Sequence, residues 1–396
     1  MPASRGAHQA VVAENRLIIS TVFITFVGYA TVALPLAVVP IYVHIRLGYG
    51  TTVAGVAVSL QYVATVLSRA QVGQMADTVG PKITVLRGLV ASVAGGMLMA
   101  VSGLLVSQPA WALGILLPSR LFIGIGESLI STGAIAWAIG RTGPHRTARI
   151  ISWNGVATYG ALMLGAPLGV VLTGQFGFQS VGWAVAVLGV AGLARAFWTQ
   201  TVPVIAKQRL SSGRVLWRVL PYGAVLGLAS AAFGTITTFV TLFFNHRGWS
   251  GAALCLTAFG GGFICVRLLF ADLINRVGGI PVAGVSLAVQ IVGLLLVWIA
   301  AAPGTAIVGS AITGCGYGLV FPALAVVAVA RVPPQSRGTA LGIYSVFLDV
   351  ALGVTGPAAG VIAGHFSYAT PFLFGTLLTA AGLALTALLP RLGHRR

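Results

Sequence analysis

The sequence is short of acid. Aspartate and glutamate supply 5 of 396 residues, lysine and arginine 23, and charged residues of all kinds 7% of the chain. A soluble globular chain carries about 25% charged residues. With 57% hydrophobic residues and a mean hydropathy of +0.98, too few polar groups remain to cover a water-facing surface. That excludes a soluble protein with an oily core and makes lipid the main solvent. Cysteine is scarce too. Cys255, Cys265 and Cys315 all lie in apolar runs with no thiol at ligand spacing, so they read as small packing residues rather than a disulfide framework or metal site. The glycine clusters Gly260-Gly261-Gly262 and Gly314-Cys315-Gly316 lack the preceding strand and the following Lys-Ser/Thr of a phosphate loop. No ATP-binding domain is expected. There is no HExxH, no nucleophile elbow and no cluster of carboxylates with histidines. The six histidines, His44, His145, His246 and His365 among them, read as scattered in loops and at ends. An enzyme is not expected, and neither is a cofactor.

The basic excess, 23 − 5 = +18, would suggest nucleic acid in a soluble protein. Here no basic cluster interleaves with aromatics, so nucleic acid is not an expected partner. The charge follows the apolar runs instead. A bilayer core of about 30 Å needs about 20 apolar residues in helix, and lipid forces such runs to be helical because each amide must bond within its own segment. Twelve runs meet this length, at 17–43, 51–72, 83–106, 110–138, 150–174, 180–200, 217–244, 251–274, 281–302, 304–330, 338–363 and 367–389. Gaps after even-numbered runs hold Lys82, Arg87, Arg141, Arg146, Arg149, Lys207, Arg209, Arg214, Arg276, Arg331 and Arg337, and the chain ends add Arg5, Arg16, Arg391, Arg395 and Arg396. Gaps after odd-numbered runs hold only Arg46 and Arg247. Basic loops stay in the cytoplasm, so both termini are expected inside. The N-terminal stretch MPASRGAHQAVVAENR lacks a small-residue cleavage site, and the first run is expected to be retained.

The longest gap, KQRLSSGR at 207–214, divides the chain six runs plus six. The fold expected is an all-α integral membrane protein: a helical bundle over 1–200, a cytoplasmic linker over 201–216 and a second bundle over 217–396. The halves resemble one another. RAQVGQMADTVG (69–80) lies over RLLFADLINRVG (267–278), which sets Arg69 on Arg267, Asp77 on Asn275 and Gly80 on Gly278. GIGESL (124–129) lies over GCGYGL (314–319), and GAPLGVVLTGQF (165–176) over TGPAAGVIAGHF (355–366). Offsets of 198, 190 and 190 keep the same order in both halves. Tandem six-helix halves with a site between them are a transporter architecture, and glycine-rich spans suit close helix approach.

These residues resemble the major facilitator superfamily of secondary transporters, over nearly the whole chain in span number, orientation and duplication. The family's loop signature between its second and third helices, G-x-L-a-D-r-x-G-r-r, is matched at Gly73, Asp77, Gly80 and Lys82, with Met75, Thr78 and Pro81 as departures. A second signature, Arg then G-x-G on the fourth helix, appears as Arg120, Gly124 and Gly126, with Glu127 where a small residue is usual. The exporter signature G-P-x-x-G is partial on the fifth span, Gly165-Ala-Pro167-Leu-Gly169, and clean on the eleventh, Gly356-Pro357-Ala-Ala-Gly360. The chain is similar to bacterial drug- and sugar-efflux-like members. The resemblance implies two pseudo-symmetric bundles, an inner-membrane location and a gate in which Asp77 meets the helix N-terminus of the eleventh span, whose partial charge is about +0.5.

Three charges lie well inside spans, away from their ends: Arg120 and Glu127 on the fourth and Asp349 on the eleventh. Each costs about 2.5–3.5 kcal/mol or more to insert, so each is expected to face a cavity or a partner. Arg120 and Glu127 are seven residues apart and share a helix face. Apolar surroundings penalise an ionised carboxyl, so Glu127 is the expected proton carrier, with Arg120 tuning it or holding an anion and Asp349 a further candidate; a purely structural ion pair is the alternative. Pro35, Pro40, Pro167, Pro322 and Pro357 are expected to bend their spans. Tyr29, Gln61, Trp137, Asn154 and Tyr317 are candidate cavity lining, with plain packing an equal alternative for each. Without an ATP-binding domain, energy is expected from a proton gradient. The reading is proton-coupled efflux of a small organic molecule through the lipid bilayer by a monomer. Its rivals are a proton symporter importing a sugar or organic acid, a membrane-embedded enzyme and a channel.

Overall fold

The computed structural model of the protein describes residues 22–143, 147–202, 212–270, 272–332 and 337–393. Arg5, Arg16, His145, Arg146, Lys207, Arg209, Arg395 and Arg396 lie outside these residues, as does most of the expected linker. Among the described residues, twelve helices are long and apolar enough to cross a membrane. They are α1 (Val22–Arg46), α2 (Thr51–Thr78), α3 (Pro81–Leu104), α4 (Pro109–Thr142), α5 (Thr147–Phe176) and α6 (Gln179–Phe197) in the first half. The second half has α7 (Ser212–His246), α8 (Ala253–Phe270), α9 (Gly279–Trp298), α10 (Pro303–Ala330), α11 (Arg337–His365) and α12 (Thr370–Gly393). A helical turn, Leu273–Val277, joins α8 to α9.

The ends of these helices follow from local chemistry. Proline opens α3, α4 and α10, where its missing N–H would have had no partner in any case. The turns at 105–108 and 299–302 separate α3 from α4 and α9 from α10, at the two places where the apolar runs were hardest to divide. α7 begins at Ser212, five residues earlier than expected, so the end of the expected linker is helical. α1 is interrupted at Ala37–Val38, restarts at Val39 with Pro40 in its first turn, and ends in the π-helical turn Tyr42–Arg46. Pro35 and Pro40 thus break α1 rather than merely bend it. Pro167, Pro322 and Pro357 lie inside their helices, and so do Pro118 and Pro221.

The packing repeats between halves. α3 packs on α4 and α6, and α2 on α4; correspondingly α9 packs on α10 and α12, and α8 on α10. Gly80 and Gly278, which the sequence repeat superposes, cap α3 and α9 with nearly the same backbone, φ 106° and ψ 150° against φ 94° and ψ 156°. That region is open essentially to glycine alone. The expected loop carrying Gly73, Asp77, Gly80 and Lys82 is therefore not a loop. Gly73 and Asp77 belong to the last turns of α2, Gly80 forms the tight turn, and Lys82 is in the first turn of α3. The helical register persists because α2 continues beyond the apolar segment on polar side chains that water can solvate.

Two seams join the halves, α2 along α11 and α5 along α8. At the first, a Cβ on Gly55 would overlap the Gly356 carbonyl, and one on Gly356 would sit 2.7 Å from the Gly55 oxygen. The hydroxyls of Thr51 and Ser59 donate across this seam to the carbonyls of Gly360 (2.8 Å) and Leu352 (3.0 Å). At the second, a Cβ on Gly260 would stand 2.9 Å from the Tyr159 oxygen, and Thr257 donates to the Met163 carbonyl at 2.9 Å. The face opposite the basic turns is tied further by His44 and Tyr368. The His44 Nδ1–H donates to the Tyr49 carbonyl at 2.7 Å, so neutral His44 accepts the Tyr368 hydroxyl at Nε2, also 2.7 Å. The His246 ring lies 4.9 Å from the Tyr368 ring, and burial raises the Tyr368 phenol above its ordinary pKa. Two histidines expected to be scattered thus converge from opposite halves on one tyrosine.

A methyl group at Gly55 forces α2 off α11, an overpacking cost of about 1–3 kcal/mol. Gly114 has open space at its Cβ position. Thermal melting in detergent is therefore expected to show a lowered midpoint for Gly55→Ala and little change for Gly114→Ala.

Candidate functional site

Four charged side chains lie along α2, between Ala57 and Arg69, where it meets α11 and α4. Arg69, on α2, crosses between the halves. Its Nε donates to Asp349 Oδ2 on α11 at 2.6 Å, and Nη2 forms an ion pair with the same oxygen. Arg69 sits about 27 Å along α2 at 1.5 Å per residue. Its side chain is 21% exposed and that of Asp349 3%. Asp349 therefore has its partner, as an intramembrane carboxylate requires.

Glu127, on α4, is nearly buried. Its Oε2 accepts from the Gln61 Nε2 amide of α2 at 2.8 Å. α4 can come this close to α2 because Gly124 faces it; a Cβ there would strike the Gln61 carbonyl. Two residues on, Gly126 admits α3: a Cβ would stand 2.7 Å from Ser92 Oγ and 2.9 Å from the Gly88 oxygen. The Arg-x-x-x-Gly-x-Gly pattern thus wedges α4 between α2 and α3. Arg120, two turns away on the same helix, is fully buried. Its Nε donates to the Ala57 carbonyl at 3.1 Å, and its Nη1 and Nη2 have no partner among the described residues. Arg120 and Glu127 share a face without pairing.

At matching positions the repeat replaces charge by rings. Glu127 corresponds to Tyr317 on α10, Gln61 to Phe259 on α8 and Asp349 to Tyr159 on α5. The Tyr159 and Phe263 rings stack at 3.5 Å, Phe233 stacks on Tyr317 at 6.2 Å, and Tyr317 is hydrogen-bonded to Ser230 at 2.9 Å. Arg267, the counterpart of Arg69, lies over the Phe263 ring at 4.7 Å and donates to the Gly318 carbonyl at 3.0 Å. The α2–α11 seam is fastened by charge and the α5–α8 seam by aromatic contact.

The structure divides the other expected site residues. Tyr29 on α1 is half-buried beside Gly28, which packs on Ile130 of α4, and Gln61 and Tyr317 make the contacts described above. Asn154 accepts from Thr25 at 2.9 Å and links α5 to α1. Trp137 is not at the site. It is buried among Ile24, Val85, Leu89 and Ile130 in the first half, with its indole N–H on the Gln200 carbonyl at 2.9 Å, because its face of α4 turns toward α3. Lys82 donates to the Phe197 carbonyl at 2.8 Å and lies 5.8 Å from the Phe197 ring; it caps α6 within its own half. Asp77 is exposed at the end of α2. Pro167 lies between Gly165 and Gly169, which press on Ala33 and Leu34 of α1, while Pro357 follows the Gly356 contact with α2. Arg69 was not singled out as a site residue. Its signal was the repeat, which places an arginine at both 69 and 267.

Comparison with known proteins agrees with this architecture. The family model described as Major Facilitator Superfamily matches residues 21–281 and 251–395. An uncharacterized MFS-type transporter of Burkholderia mallei (strain SAVP1) is 51% identical over 389 residues, covering 98% of this chain and 95% of the relative. One from Pseudomonas aeruginosa (strain LESB58) is 48% identical over 394 residues, covering 100% and 97%. Among solved structures, the nucleoside transporter NupG (D323A mutant) aligns with a TM-score of 0.74 at 15% identity, covering 94% of this chain and 99% of that one. The human organic anion transporter MFSD10 (TETRAN) aligns with a TM-score of 0.69 at 16% identity and the same coverage. At those identities the two structures speak for the fold alone. The chain belongs to the Major Facilitator Superfamily and is a multi-pass membrane protein of secondary transport, not an enzyme.

Proposed function

We propose that the protein exports a small organic solute in exchange for protons by alternating access, and that Glu127 is the carboxyl that takes up and releases the proton. The observation that carries this reading is the pairing of Glu127 with a neutral amide. The nearby cations are otherwise engaged, Arg69 with Asp349 and Arg120 with the Ala57 carbonyl. Gln61 suits both protonation states. Its Nε2 donates to the carboxylate, and its Oε1, a buried acceptor without a partner among the described residues, is available to a carboxylic acid proton. A carboxyl locked to an arginine would lack this freedom.

Export is favoured over import by α5, where the Gly165-Ala-Pro167-Leu-Gly169 stretch lies directly against α1 and resembles the exporter signature. The charge bias supports a basic face and both termini in the cytoplasm, and a bacterial inner membrane is the setting of this reading. The proton gradient is the energy source, no cofactor is required, and the working unit is the monomer. The seam contacts at the opposite face then close the outer side. Asp77, exposed at the inner end of α2, faces the compartment where α11 begins at Arg337, and its approach to that helix N-terminus closes the inner side in the other half of the cycle.

The coupling is tested in proteoliposomes with an imposed pH gradient and a panel of small organic solutes. Antiport requires that an acidic lumen drive solute accumulation. Accumulation that requires acid outside instead would identify a symporter and overturn the reading. Glu127→Gln mimics the protonated acid. It is expected to reduce gradient-driven accumulation by at least about tenfold, equivalent to about 1.4 kcal/mol, while solute exchange at equal pH continues. Retention of normal pH dependence would remove Glu127 from the mechanism.

Asp77→Asn forfeits a charge–dipole interaction of about 1 kcal/mol, a shift of about fivefold in the balance of the two access states. Transport is expected to slow by a comparable factor in protein that retains its yield and melting temperature. Wild-type rates would show that Asp77 is not the inner latch.

A further inference from the structure

Glu127 cannot by itself explain how a proton moves two bundles of helices, because its hydrogen bond to Gln61 stays within one half. The ion pair that crosses between halves is Arg69–Asp349. Thr65, one turn before Arg69, donates to the Gly124 carbonyl at 3.0 Å, and Ala57 and Gln61 take Arg120 and Glu127 in the same order along α4, so the Glu127 turn lies against the stretch of α2 that leads to Arg69. A helical side chain leans toward the N-terminus of its helix. The Arg69 stem therefore leans along α2 toward the turn that carries Gln61 and, through it, Glu127.

We propose that Arg69 is the coupling cation, a positioning residue that converts the protonation state of Glu127 into the strength of the α2–α11 seam. This rests on Glu127 being the proton carrier. With Glu127 protonated, Asp349 has no competitor for Arg69, and the seam is fastened. When Glu127 loses its proton, the new carboxylate draws Arg69 away and repels Asp349. Both effects weaken the bridge, and the seam that closes the outer face loosens. Acid closes that face and alkali opens it.

The other groups around this trio do not supply the same switch. They are Tyr29 on α1, Tyr62 on α2, Arg120 on α4, and Tyr159, Tyr317 and Arg267 on α5, α10 and α8. None of these is a carboxyl. α3, packed on α4, carries charge only at Lys82 and Arg87 near its basic end, and α7, packed on α11, carries Arg214, Arg218 and Tyr222 at its basic end and His246 at the other.

The test places spin labels at Thr52→Cys and Phe366→Cys, exposed positions at the outer ends of α2 and α11. The full chain is used in lipid nanodiscs, with Cys255, Cys265 and Cys315 replaced by serine. Pulsed electron resonance then reads the distance between labels in acid and alkaline buffer. The parent protein is expected to raise its open population by about fivefold or more from acid to alkali, the size of an ordinary coupling between sites. Glu127→Gln should keep the low open population of the acid state in both buffers, enough for exchange but without a pH response, and Arg69→Gln a high open population in both. Arg69→Lys, which keeps the charge, should restore the response in the same direction. If Arg69→Gln is not monodisperse, Asp349→Asn takes its place and should also give no response. A normal response in Arg69→Gln or Asp349→Asn, with Glu127→Gln unresponsive, overturns this role for Arg69 and leaves Glu127 as proton carrier. A normal response in Glu127→Gln overturns both.

Discussion

Lipid tails are as apolar as leucine, so no hydrophobic force presses one half of this protein against the other. Cohesion must come from van der Waals contact at very short range and from hydrogen bonds that do not compete with water. The glycines of the α2–α11 seam meet the first need. With Gly55 and Gly356 in backbone contact, the serine and threonine hydroxyls of α2 come within reach of α11 carbonyls. The second follows from the first: Arg69 reaches Asp349 only because the two backbones already lie together. A side chain at either glycine would lengthen every bond in the seam, and an ion pair buried in low dielectric loses its advantage quickly when its geometry is spoiled.

The two seams were built from one repeat but hold in different ways. α2 meets α11 through directed bonds and an ion pair, whereas α5 meets α8 through stacked rings and the one hydrogen bond from Thr257 to the Met163 carbonyl. Ring contacts tolerate sliding, since their energy varies gently with offset. Hydrogen bonds and ion pairs fall off steeply with distance and angle. In the coupling proposed above, the ion pair of the α2–α11 seam is the contact made and broken while the rings of the other seam slide. A pair of identical seams would have no such division. The sequence difference responsible is small: Tyr159 where the repeat has Asp349, and Tyr317 where it has Glu127.

Much of this architecture could be read from the sequence because lipid leaves few solutions. A run of twenty apolar residues has to be helical, while the turns at Ser107-Gln108-Pro109 and Ala302-Pro303-Gly304, where long runs follow one another almost without a polar break, were the hardest to divide. Gly80 and Gly278 were legible as a repeated turn. What could not be read is which way a helix faces. Trp137 and Glu127 are ten residues apart on α4, both apt for a cavity by residue type, yet Trp137 turns into the core of its own half. Arg69 was hidden for a related reason. It lies at the end of an apolar run, where an arginine ordinarily reaches for water, and only the position of α11 shows that it reaches for Asp349 instead. The histidines His44 and His246 met at Tyr368 through tertiary packing, which sequence spacing does not encode.

The remaining oddity is Arg120, buried with two nitrogens unpartnered among the described residues. Arginine keeps its charge in proteins, so Arg120 supplies a fixed positive potential to the first half. Arg69 and Asp349 cancel one another. When Glu127 is ionised, Arg120 and Glu127 cancel as well, and these four side chains sum to zero. When Glu127 is protonated, the sum is +1. On the reading proposed above, in which Glu127 carries the proton, an arginine held by a carbonyl and a carboxyl held by an amide, rather than by each other, keep the two protonation states one charge apart.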